Sequence, residues 1–206
     1  LFSGNDIDGK AASDDGKVTT GYLVTQIRTD QVKIEGGEVR NVDYGAWVTD
    51  GQSFGDEVQG VTFAEMDFDK INESAFLIED TSATTDGVQA TLSGSHTFGA
   101  SMPYELTLAG SNASVSAENS FNGFGTILVK NDAPAAFSYA DPALTVDAAS
   151  IQNAVDSAAT GATIEVEAGT YNENVIIDKS LLLTGETAPN KPTLDSVNNT
   201  GIGIDI

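Results

Sequence analysis

"AASIQNAVDSAATGATIEVEAGTYNENVIIDKSLLLTGE", residues Ala148 to Glu186, decides the fold. Its opening places Ile151, Ala154, Val155 and Ala158 at helical spacing on one face, and Gly161 after Thr160 is a stop signal, so a short amphipathic helix is expected over about 149–159. Three short apolar runs follow: Thr163 to Val166, Val175 to Ile177 and Leu181 to Leu183. Gly169 and Asp178-Lys179 separate them, which is the punctuation of turns between very short strands. A helix beside a stack of short strands suits a parallel solenoid, because a terminal layer otherwise exposes an unpaired edge.

The run from Ser150 to Glu186, with its helix, its "AGTYNENVIIDKSLLLTGE" and its Ile/Val/Leu pattern, resembles the opening of right-handed parallel β-helix proteins of the pectin-lyase-like superfamily, NosD-like members especially. The resemblance implies an all-β right-handed parallel β-helix with a short capping helix. It implies little about activity, since that superfamily holds lyases, hydrolases, epimerases, tailspikes, adhesins and structural rods. In such proteins the helix begins the solenoid, whereas here only about 20 residues follow the motif.

Earlier in the chain, "DQVKIEGGEVRNVDYGAWVTDG" (Asp30 to Gly51) can be laid on "GVTFAEMDFDKINESAFLIED" (Gly60 to Asp80) at a shift of 29. Val32 then falls on Val61, Ile34 on Phe63, Val39 on Phe68, Val42 on Ile71, Ala46 on Ala75, Trp47 on Phe76 and Val48 on Leu77. A second match sets Gly21, Leu23 and Val24 over Gly45, Trp47 and Val48 at a shift of 24. Shifts of this size mark solenoid repeats of slightly varying length. Equivalent side chains should stack about 4.8 Å apart along inward ladders. Ile34, Val48, Phe63 and Leu77 are accordingly expected inward on parallel strands, Ile34 near Phe63 and Val48 near Leu77, with Trp47 and Phe76 sharing a ladder. The competing architecture is an antiparallel sandwich. Weaker strand runs follow at Gly87 to Gly94, Tyr104 to Gly110, Ala113 to Glu118 and Gly125 to Asp132, with a turn at Asn122-Gly123.

The 206 residues carry 31 Asp and Glu against 9 Lys and Arg, a formal net charge of −22. Such a surface repels nucleic acid and anionic lipid and favours cations. With no cysteine and a single histidine, His96, disulfides, thiol catalysis and Cys/His zinc sites are excluded. No run approaches the roughly 18 apolar residues of a membrane span. The composition suits an exported surface protein of a bacterium or archaeon.

Candidate chemistry is sparse. Asp6, Asp8, Asp14 and Asp15 crowd one loop, which is either a calcium site or a solvated acidic loop; Gly4 and Asp15 at the first and twelfth places depart from an EF-hand and favour the solvated loop. The superfamily's polysaccharide lyases combine calcium-binding carboxylates with an Arg or Lys base. Of the two arginines, Arg28 and Arg40, the second has Asp43 nearby in sequence, and a surface charge pair is the expected reading, so no catalytic residue is assigned.

The expected organisation is body coils over 1–132, a linker over 133–147 rich in Ala and Pro, and a helical cap with the first coils of a further repeat over 148–206. Joining "GIGIDI" to "LFSGNDID" gives one coil with apolar positions at Ile202, Ile204, Ile206 and Phe2, then a turn at Gly4. Ile202, Ile204, Ile206, Leu1 and Phe2 are therefore expected to form an assembly interface. The expected function is a structural repeat of an extracellular filament, adhesin or surface layer, joined head to tail to copies of itself. The alternative is a carbohydrate-active β-helix protein that contacts surface polysaccharide.

Overall fold

The computed structural model describes residues 1–9, 18–25, 32–50, 58–81, 87–131, 148–186, 189, 191–196 and 204–205. In chain order the strands are β1 (Phe2–Ser3), β2 (Ile7–Asp8), β3 (Thr20–Thr25), β4 (Val32–Glu35), β5 (Glu38–Thr49), β6 (Val58–Ala64), β7 (Asp67–Glu79), β8 (Val88–Ser93), β9 (Thr97–Phe98), β10 (Tyr104–Ala109), β11 (Ala113–Glu118) and β12 (Phe124–Val129). The helix α1 (Ile151–Ser157) follows, then β13 (Ala158–Val166), β14 (Thr170–Asn172), β15 (Val175–Ile176), β16 (Leu182–Gly185), β17 (Thr193–Asp195) and β18 (Ile204–Asp205).

Every strand pair among the described residues is parallel, which removes the antiparallel sandwich. From β4 to β12 the chain passes back and forth between two sheets, with β9 and β10 both laid on β7 of the larger one. One is ordered β1-β4-β6-β8-β11; the other runs β16-β13-β12-β10-β7-β5-β2, with β3 also on β5 and β9 on β7. Each return lays a strand beside its predecessor in the same sheet, an arrangement compatible with a β-helix. The segment after 133–147 joins the same stack, since β13 pairs directly with β12. The 133–147 segment itself lies outside the described residues, as does Asp132.

The shift of 29 holds for Val32↔Val61, Ile34↔Phe63, Val39↔Phe68 and Val42↔Ile71, and the shift of 24 holds for Leu23↔Trp47 and Val24↔Val48. Beyond Val42 the register changes. Tyr44 faces Ser74, Ala46 faces Phe76, Trp47 faces Leu77 and Val48 faces Ile78, because β7 carries one extra residue between Ile71 and Ser74. The expected Val48–Leu77 and Trp47–Phe76 neighbours are therefore each displaced by one. A slip of one residue exchanges the faces of a strand. Val48, Ile78, Ala46 and Phe76 point into the main core, whereas Trp47 and Leu77 are buried in a second small cluster with Ala109. Leu77 is thus buried as expected but not in the main apolar column.

The β5–β7 bend repeats between layers. Asn41 and Lys70, equivalent at the shift of 29, both adopt positive φ, 56° and 51°. Glycine is required where turns stack most tightly. Gly37 has φ +93°, and a Cβ there would run into the backbone of Asn5 in the neighbouring layer. Inside, the two sheets meet through Ile34, Val61, Phe63, Ala90 and Leu92 on one side and Phe76, Ile78, Leu106, Ile127 and Ile164 on the other.

Candidate functional site

α1 takes the place that a strand of the five-stranded sheet occupies in earlier layers, immediately before β13 of the larger sheet. A helix there leaves neighbouring strand edges without a ladder partner, and its polar side chains supply one. Asn153 Nδ2 donates to the Ala113 carbonyl of β11 at 2.9 Å. Gln152 Oε1 accepts from Ile176 N at 2.7 Å, and its Nε2 donates back to the Ile176 carbonyl at 3.3 Å, so one side-chain amide imitates a peptide group toward β15.

The helix start is held by Ser150 Oγ, which accepts from Asn153 N at 3.1 Å. Glu173 adds its carboxylate, accepting from Ile151 N at 2.6 Å, Gln152 N at 3.0 Å and the Ser150 hydroxyl at 3.0 Å. Glu173→Ala should cost about 2 kcal/mol by freeing donors of the first turn. That corresponds to roughly 4–8 °C in a thermal melt. Glu173→Gln should lose about half as much, and a Glu173→Ala melt superimposable on wild type would show that the capping contributes nothing.

At the other end of the long strands, acids repeat from layer to layer. Asp50 Oδ1 accepts from Thr81 N at 3.1 Å and Thr81 Oγ1 at 2.5 Å, and one layer on Asp80 Oδ2 accepts from Asn112 N at 3.3 Å. Glu79 is buried between them, accepting from Trp47 Nε1 at 2.8 Å. Burial pushes its carboxyl up to about 7, against the opposing hydrogen bonds of Trp47 and Thr49. His96 lies among Phe76, Phe98 and Phe121, with ring centroids at 5.8, 6.2 and 5.4 Å. Its Nδ1 accepts from Met66 N at 3.3 Å, which leaves the proton of the neutral ring on Nε2. Burial lowers its pKa to about 4, with the Phe63 and Ser93 carbonyls opposing.

Of the calcium candidates, Asp14 and Asp15 lie outside the described residues. Asp6 Oδ1 accepts from Glu38 N at 3.0 Å; Asp8 accepts from Asn41 Nδ2 at 2.6 Å and pairs with Arg40 Nε at 3.1 Å. Those bonds hold the Asp8 carboxyl below its usual range, Asn41 contributing most. Among the described residues, no three His, Cys, Asp or Glu side chains converge on a point that could hold a metal ion. Arg40 and Asp43 are not paired with each other: Arg40 turns to Asp8 and Glu38, while Asp43 accepts from Thr19 and Asn72. Arg28 lies outside the described residues.

The assembly candidates fall at opposite ends of the stack. β1 is the edge of the five-stranded sheet, with Phe2 58% and Leu1 79% exposed. Among the described residues β18 pairs with β15 alone, and its Ile204 is 43% exposed, while Ile202 and Ile206 lie outside the described residues. Large exposed apolar residues among the described residues are confined to these two ends: Leu1, Phe2, Val18 and Leu23 at one, Ile176, Leu182 and Ile204 at the other. The sequence reading missed Gln152, Asn153, Glu173 and Glu79. The periodic Asp50 and Asp80, exactly one layer apart in the observed register, were the signal available for the acidic ladder.

No protein-family model, curated protein or solved structure matches the chain. No helix among the described residues is long and apolar enough to cross a membrane.

Proposed function

We propose that the chain is a structural segment of an extracellular filament, adhesin or surface layer, built as a right-handed β-helix and joined head to tail to copies of itself. The observation that carries this reading is that, among the described residues, exposed large apolar side chains lie in the first layer and the last two layers, where parallel sheets finish in open edges. An unpaired parallel edge is a template for another strand. Because β1 and β18 lie at opposite ends, a contact between unlike ends repeats without closing, giving a filament instead of a two-fold dimer. The net charge of −22 keeps the flanks of such a filament from associating sideways. The acidic Asp6–Asp8 loop lies beside the first edge, where calcium would reduce repulsion between ends.

Sedimentation across a concentration series tests the reading. Wild-type mass is expected to rise without a plateau. Phe2→Asp and Ile204→Asp each block one end and should be monomeric alone, yet an equal mixture should stop at dimers, since one free end of each kind remains. A wild-type chain that stays monomeric up to millimolar concentration overturns the proposal.

A further inference from the structure

We propose that a cavity at the turns joining the two sheets, lined by His96, Phe98, Glu105, Phe121 and Asn122, binds an alkylammonium group. The cavity encloses about 270 Å³. That lies just under the roughly 300–1,000 Å³ of sites for drug-sized ligands, so its occupant is the size of one amino-acid side chain.

Three features select the chemistry. Glu105 is a half-buried carboxylate whose bonds are to backbone amides, Gly125 N donating to Oε2 at 2.5 Å and Thr126 assisting, and no cation pairs with it among the described residues. Burial consequently holds its carboxyl above the usual range, the condition a bound cation would relieve. Phe98 and Phe121 bring aromatic rings to the same cavity, and a ring face attracts an ammonium ion. The third feature is what is missing from the lining: it contains no Lys or Arg, and His96 is neutral because burial depresses its basicity. Ser95, Ser120 and Asn122 add acceptor oxygens at the rim. The ammonium of the ligand sits between Glu105 and the phenyl rings, and its alkyl part fills the rest of the cavity.

The probe is n-butylammonium at pH 7, titrated into the 206-residue chain and followed by amide chemical shifts, with n-butanol as the neutral control and all titrations at 150 mM and 1 M sodium chloride. Saturable binding is expected, with shifts centred on Phe98, Phe121, Gly123 and Gly125, and butanol should bind at least ten-fold more weakly. High salt removes diffuse attraction to the acidic surface, so a saturable component should persist. Glu105→Gln keeps an acceptor for Gly125 and should weaken binding at least ten-fold. Glu118→Gln, an equal charge change at an exposed site outside the cavity, should leave it unaltered. Phe121→Leu preserves apolar cover and should weaken binding about two- to five-fold, giving a reading independent of Glu105. A Gly-Gly-Lys-Gly-Gly peptide binding more tightly than butylammonium identifies a protein lysine as the source, and the reverse order a free amine; both support the site. Equal response to butanol, no saturation, or identical weakening by Glu105→Gln and Glu118→Gln overturns it.

Discussion

Phe76→Ala is expected to destabilise the protein by about 3–5 kcal/mol, the range for deleting a fully buried phenyl ring where the surroundings cannot collapse. Phe76 is 0% exposed and stands between both sheets. Its ring meets Phe63 of β6 at 5.3 Å, Phe68 of its own strand β7 at 4.8 Å and Phe124 of β12 at 5.9 Å, all in edge-to-face contacts. Removing it opens a void that no single neighbour can fill without abandoning its own ladder. Urea unfolding should show a lower midpoint with an unchanged slope. The exposed Phe2→Ala, which deletes the same ring at an open edge, should move the midpoint very little. A Phe76→Ala loss below about 1 kcal/mol would mean that the aromatic column adapts freely and is not the rigid centre of the stack.

Parallel layering was legible because apolar residues recur at a constant interval, and Ile34 over Phe63 and Leu23 over Trp47 are found as the repeats place them. The failure came at Asn72-Glu73. One inserted residue there leaves apolar side chains at successive positions on both strands, so "AWV" fits either "AFL" or "FLI" by hydrophobicity alone. What distinguishes the two lies outside the apolar triplet: only the longer shift sets Asp50 over Asp80 and Gly45 over Ala75. A glycine fits because a Cβ at Gly45 would strike the Phe68 ring. The helix was legible from its 3.6-residue period, starting two residues later than expected and ending two earlier. Its partners were not. The contacts of Gln152 and Asn153 with strands 24 and 40 residues away depend on which edges the stack leaves open. That property belongs to the assembled layers and not to any local pattern.

The acidic ladder shows how such a stack tolerates its own charge. Asp50 and Asp80 are 2% and 1% exposed, yet each accepts hydrogen bonds from the backbone of the next layer, so burial is offset by bonds that also tie layers together. Glu79 is different. Its bonds come from side chains, the Trp47 indole N–H and Thr49, and the cation that favours its charge, Lys130, is also engaged with Glu167 at 3.5 Å.

Glu79→Gln should therefore stabilise the protein, and only on the alkaline side. Glu79 titrates near 7 in the folded chain against an ordinary value of 4.5, so the fold favours its protonated form. A group raised in this way contributes fully below the unfolded value and loses that contribution as pH climbs through the folded one. The loss is about 3 kcal/mol once pH exceeds 7, at 1.36 kcal/mol per unit. Glutamine carries no charge to desolvate and still offers an oxygen to the Trp47 indole. The variant should match wild type at pH 4 and exceed it by about 3 kcal/mol at pH 8, the difference growing between 4.5 and 7. His96 acts with the opposite sense. Lowered from 6.5 to about 4, it contributes above pH 6.5, and that contribution drains away as pH falls toward 4. In wild type the two slopes oppose each other between about 4.5 and 6.5, whereas Glu79→Gln leaves the histidine slope uncompensated. Subtracting the two urea-derived stability curves cancels every group they share. A difference that is flat from pH 4 to 8 would place Glu79 in a solvated setting and contradict its burial beside Trp47.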